Sequence, residues 1–140
     1  MALLARHDSS SGALRKRLER QGFDPALVAA VLADLAAEHA LDDARYAQNF
    51  VAYHAGRGQG PVRIAADLAA EGVSSEQIDA ALASGPNWIA LARHVRARKF
   101  GADEPESWAE RSRQARFLQY RGFSSDHIRS ALGPDLTPEE

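Results

Sequence analysis

The stretch that decides the fold is Leu68-Ala69-Ala70-Glu71-Gly72-Val73-Ser74-Ser75-Glu76-Gln77-Ile78-Asp79-Ala80-Ala81-Leu82. It reads as a helix ended by a glycine, one apolar residue, a capping serine, and a second helix. Gly72 supplies the left-handed backbone that stops a helix. Ser74 with Gln77 three residues on has the form of a capping box. Fifty residues upstream the same columns read Leu18, Gly22, Phe23, Asp24, Val28 and Leu32. Fifty residues downstream they read Leu118, Gly122, Phe123, Ser124, Ile128 and Leu132. A fixed period of this size signals stacked units, each too small to bury its own apolar face. Such arrays build long surfaces for other macromolecules, so the search for function starts as a search for a partner.

Helix signals continue outward from the turns. Asp24-Pro25 places a cap and then proline at the first helical position. Leu27, Val28, Val31, Leu32 and Leu35 follow as an apolar stripe at helical spacing. Ahead of Gly22, Leu14 and Leu18 lie one turn apart, with Ser9 to Ser11 available as caps. Residues 42–56 form a further helix with Tyr46, Phe50 and Tyr53 on one face and Asp42 and Asp43 at its N-terminal end, where the helix dipole favours acids. Residues 87–100 form another, carrying Trp88, Leu91 and Val95. No stretch reads as a strand. The expected fold is all-α: a tandem array of three three-helix repeats. Its expected units are residues 1–39, whose first helix is truncated to a stub from Met1 to His7, then 40–85 and 86–133, with a disordered tail over 134–140.

Composition narrows the function classes. The 140 residues are 45% hydrophobic and 26% charged, ordinary for a folded soluble chain. Cysteine is absent, which removes disulfides, thiolate metal sites and cysteine nucleophiles. The opening apolar run is short and broken by Arg6 and His7, so neither a signal peptide nor a membrane span is expected, which favours the cytoplasm. His7, His39, His54, His94 and His127 are scattered without ligand spacing. No metal, cofactor or enzymatic chemistry is therefore expected.

The net charge of −2 conceals a strong asymmetry. Residues 1–20 carry +3, residues 21–92 carry −6, and residues 93–129 carry nine basic side chains against five acidic ones. Of the 17 basic residues only Lys16 and Lys99 are lysine, and arginine's planar fork suits carboxylate and phosphate. Arg93, Arg96 and Lys99 recur every three residues, and Arg113 with Arg116 and Arg17 with Arg20 make shorter stripes. The loop Gly56-Arg57-Gly58-Gln59-Gly60-Pro61 resembles a phosphate-cradling turn, but it lacks the Lys-Ser/Thr ending of a nucleotide loop and follows no strand. It reads first as a flexible turn with Pro61 opening the next helix, flanked by Arg57 and Arg63. The Leu68–Ser74 turn also resembles that of a helix-turn-helix DNA reader. The helix after it carries Glu76 and Asp79 and no basic residue, which phosphate repulsion keeps out of a groove.

The order and spacing of several blocks together resemble the RecX family, regulators of the RecA recombinase. The blocks are Leu3-Leu4-Ala5-Arg6, Leu14-Arg15-Lys16-Arg17-Leu18 and Gly22-Phe23; then Leu41-Asp42-Asp43-Ala44-Arg45-Tyr46-Ala47, Phe50-Val51 and Arg57-Gly58-Gln59-Gly60-Pro61-Val62-Arg63-Ile64; and finally Arg98-Lys99-Phe100-Gly101, Arg116-Phe117-Leu118 and Arg121-Gly122-Phe123-Ser124. The resemblance covers nearly the whole chain. It implies an elongated, curved molecule that binds in the groove of the RecA filament on single-stranded DNA and suppresses filament growth, ATPase, strand exchange and coprotease activity. It implies no catalytic residue. The chain departs from the pattern at its start, where fewer residues precede Leu3 and His7-Asp8 replaces a more basic pair. Charge position nominates Arg57 and Arg63 as partner contacts, then Arg93, Arg96 and Lys99, then Arg116 and Arg121. A monomer with weak direct DNA contact is expected; the alternative is a free-standing nucleic-acid binder that acts without RecA.

Overall fold

A computed structural model describes residues 15–133. The stub helix expected from Met1 to His7, the caps at Ser9 to Ser11, Leu14 and the tail from Pro134 lie outside the described residues. Residues 15–20 are helical. Six helices follow: α1 (Pro25–Gly56), α2 (Pro61–Ala70), α3 (Ser75–Ala83), α4 (Trp88–Phe100), α5 (Trp108–Tyr120) and α6 (Ser125–Leu132). No strand occurs among the described residues. The fold is the all-α helical array that the period implies.

Each repeated glycine does what its column requires. Gly22, Gly72 and Gly122 have φ of +89°, +92° and +98°. The amide of the next residue reaches back to the leucine carbonyl four positions ahead of the glycine, from Phe23 to Leu18, Val73 to Leu68 and Phe123 to Leu118, at 3.1–3.2 Å. These contacts satisfy carbonyls that the helix end would otherwise leave without partners. Asp24, Ser74 and Ser124 then accept backbone amides from Ala26, Gln77 and His127. The capping box at Ser74 closes on one side only: the Gln77 side-chain amide donates to the Ala40 carbonyl at 2.8 Å, tying α3 to α1.

The helix expected to begin at Asp42 does not begin there. α1 runs unbroken for 32 residues. The reason is local: residues 36–41, Ala-Ala-Glu-His-Ala-Leu, contain neither glycine nor proline and are mostly strong helix formers. Asp42 and Asp43 therefore sit within the helix. Asp42 faces Arg45 at 3.7 Å, while Asp43 is buried with its Oδ1 unpaired.

Two cores result. Helices α1, α2 and α3 pack together, as do α4, α5 and α6. In the first core Ala47, Val51 and Ala55 of α1 meet Ile64, Leu68, Val73, Ile78 and Ala81. The second gathers Ala92, Leu118, Phe123, Ile128, Ala131 and Leu132. Fully burying a residue such as Ile64 or Leu118 contributes about 1.5–3 kcal/mol. Trp88 and Leu91 touch both cores, and the Trp88 indole donates to the Leu82 carbonyl at 3.2 Å. The stripe on the first half of α1 is only partly used: Val28 and Leu32 are buried, whereas Leu27, Val31 and Leu35 are exposed.

Candidate functional site

The feature that gathers charge is a cleft of about 650 Å³ between the two cores. One wall is the end of α1 and its loop, from Ala55 to Gln59; the other comes from Leu91, His94, Val95, Arg98 and Lys99 of α4, with Phe117 and Arg121. Its lining contains Arg57, His94, Arg98, Lys99 and Arg121 and no carboxylate.

The loop wall is held rigidly, contrary to the expectation of a flexible turn. The Gly60 amide donates to the Arg121 carbonyl and the Val62 amide to the Gly122 carbonyl, both at 2.8 Å. Gly60 and Pro61 are buried there. The Arg121 guanidinium donates to the carbonyls of Arg57 and Gly58, bridging 63 and 64 residues of sequence. Gly58 takes φ +83° beneath it, and a Cβ there would lie 2.8 Å from Arg121 Nη2. Arg121 is thus both a lining cation and the clamp that shapes the loop. Pro61 opens α2 at its first position, as its fixed φ favours.

The nominated residues divide. Arg57, Lys99 and Arg121 come together in the cleft. Arg57 lies 5.7 Å from the Tyr53 ring centroid, and Lys99 Nζ lies 5.6 Å from that of Phe117. Arg63 and Arg116 are exposed but are not among the cleft's lining residues, and Arg93 is exposed with Nη2 at 3.4 Å from the Ser130 carbonyl.

Arg96 leaves the nominated stripe altogether. It is 5% exposed, and its guanidinium donates to the Ala102 and Asp103 carbonyls and to Gln114 Oε1. The reason is geometric: each three-residue step on a helix turns back by about 60°, so residues 93, 96 and 99 spread over about 120° of surface. Arg113 is also engaged. It makes a two-pronged pair with Glu110 at 2.9 and 3.1 Å and lies 5.0 Å from the Phe100 ring centroid. Hydrogen bonds from Arg113 and then Gln114 hold the Glu110 carboxyl below its ordinary range, and the Glu110 bond raises the Arg113 value.

Sequence reasoning missed His94 and Arg98. Their signal was the spacing Leu91-His94-Val95-Arg98, one helical face at i, i+3, i+4 and i+7. It was obscured because that face mixes apolar and basic residues. His94 and Arg98 have no hydrogen-bond or ion-pair partner among the described residues. No group of three or more potential metal ligands occurs among the described residues.

Comparison with known proteins matches residues 42–82 to the second three-helix domain of RecX and residues 89–132 to the third. The chain belongs to the RecX family. It is 46% identical over 132 residues to the regulatory protein RecX of Halorhodospira halophila, covering 94% of this chain and 82% of that one. It is 40% identical over 138 residues to that of Pseudomonas putida, covering 97% and 88%, and 39% identical over 133 residues to that of Pseudomonas fluorescens, covering 94% and 86%. The cleft therefore lies between the RecX domains matched as second and third, and its clamp, Arg121 on Gly58, joins them.

Proposed function

We propose that this RecX-family chain is a non-enzymatic modulator that binds the RecA filament on single-stranded DNA and inhibits its growth, ATPase, strand exchange and coprotease activity. The observation that supports this reading most is the cleft, where Arg57, Arg98, Lys99 and Arg121 converge with His94 and without a carboxylate at the joint between two repeats. Such a site attracts an anionic partner over a distance and strengthens contacts made inside it. The array works by occupying the filament, with basic side chains meeting acidic or phosphate groups. No step needs a nucleophile, a metal or a cofactor. The chain acts as a cytoplasmic monomer, and no helix among the described residues is long and apolar enough to cross a membrane.

The test is RecA filament length and ATPase rate on single-stranded DNA, with and without the protein. Shorter filaments and slower hydrolysis support the proposal; unchanged filaments at saturating protein overturn it. Tight binding to naked strands at physiological salt, with no effect on RecA, would support a nucleic-acid binder working by itself.

A further inference from the structure

The cleft is not merely basic. Phe117 lines it beneath Lys99, fixed edge-on against Phe100 with centroids 5.3 Å apart at 89°. Beside the opposite wall, one helical turn before the lining residue Arg57, the Tyr53 ring is 61% exposed although it is held in place: Arg57 Nη1 donates to its hydroxyl at 3.3 Å, and the His54 ring meets it edge-on at 5.1 Å. Leu91 and Val95 give the floor an apolar character. An acidic protein surface would use the cations alone and leave these rings without a role. A duplex would offer its phosphates but keep its bases stacked inside. Cations along a groove combined with ordered, accessible rings suit a strand whose bases are free to stack.

We propose that this cleft holds a single-stranded nucleic acid. Arg98, Lys99, Arg57 and His94 meet its phosphates, and Tyr53 and Phe117 receive its bases. Arg98 and His94 are the free contacts, one helical turn apart and about 6 Å along the α4 axis. Arg121 acts through the loop it clamps, because its guanidinium is committed to the Arg57 and Gly58 carbonyls. This assignment rests on the reading that the cleft is the working face of the RecA modulator, and it specifies that this face meets the strand inside the filament rather than RecA's acidic side chains.

The test is fluorescence anisotropy of the full chain with labelled oligothymidylate, an abasic deoxyribose-phosphate oligomer of equal length, and a duplex of equal length. Oligothymidylate should bind about tenfold tighter than the abasic strand and the duplex. Tyr53→Ala should weaken oligothymidylate binding by about tenfold and leave abasic binding unchanged. Arg98→Ser should weaken both strands and reduce the salt slope by about 0.7, while Arg129→Ser, at a position exposed on α6 and not among the cleft's lining residues, should change neither. Equal affinity for thymidylate and abasic strands, no loss with Arg98→Ser, or absence of binding by the unaltered chain would each overturn the assignment. Equally effective competition by polyglutamate would overturn it in favour of a protein partner. RecA ATPase measured with the same proteins separates the two readings. Inhibition without strand binding removes the cleft assignment and keeps the modulator; strand binding without inhibition does the reverse.

Discussion

Gly60 and Gly122 meet backbone to backbone, 62 residues apart in sequence. A Cβ on Gly60 would lie 2.5 Å from the carbonyl carbon and oxygen of Gly122, closer than any real side chain sits. On the other side, a Cβ on Gly122 would overlap Arg63 Cβ. Two hydrogen bonds of 2.8 Å run beside this contact. The joint between the two repeats is thus built from the absence of side chains, and the cleft's shape follows from it.

That contact ranks three glycine substitutions. Gly22→Ala meets no atom within 4 Å and suffers only the left-handed backbone, so it should cost about 1–2 kcal/mol. Gly60→Ala has an ordinary φ of −87° and suffers only crowding, at about 1–3 kcal/mol. Gly122→Ala suffers both and should cost at least about 3 kcal/mol. Urea denaturation of the three variants measures the order; equal losses at Gly22 and Gly122 would refute the tight joint.

Arg96 and Arg98 should separate stability from function, although they are two residues apart. Arg96→Ser leaves the Ala102 and Asp103 carbonyls and Gln114 without their buried donor and should cost about 2–3 kcal/mol. Arg98→Ser removes an exposed, unpaired side chain and should stay within about 0.5 kcal/mol of the parent. Thermal melts followed by circular dichroism decide this.

Replacing Arg98 and Lys99 together by serine should raise the concentration that half-inhibits RecA ATPase by about tenfold, the size expected when central interface cations are lost. Arg93→Ser, off the cleft, should leave it within about twofold. Dose–response curves for the folded variants provide the measurement.

Tyr46 should govern part of the alkaline stability. Its hydroxyl donates to both Glu71 oxygens, at 2.9 and 3.2 Å. Desolvation, and then the Glu71 hydrogen bond and charge, raise the phenol above its ordinary 10.0. Because the folded value is the higher one, this contribution is complete below pH 10.0 and disappears as pH rises through the folded value. Tyr46→Phe should cost about 1 kcal/mol at neutral pH and flatten the decline above pH 10. Urea midpoints at pH 7 to 11 test the sign.

Much of the scaffold was legible because it is local. A glycine at the αL position, a cap two residues later and an apolar residue four beyond the cap report backbone geometry set within a few residues, and all three copies behaved accordingly. The one misread element, the start at Asp42, came from treating a pair of acids as a cap where no glycine or proline breaks the helix. The site was less legible. Arg57 and Lys99 were visible as exposed charges, but Arg96 looked identical to them in sequence and is buried among carbonyls supplied by the loop after α4. His94 and Arg98 became neighbours of Arg57 only through the packing of the two cores.

The sequence by itself determined an all-helical array with a fifty-residue period, three glycine turns and a surplus of arginine beyond residue 92. Only the tertiary structure decided which cations share a cleft, because that depends on the Gly60–Gly122 contact and the Arg121 clamp, made between residues more than sixty positions apart. Turn geometry is a short-range property of the backbone. Convergence of charge is a property of how two cores dock, and it depends on the register of one packed unit on the next.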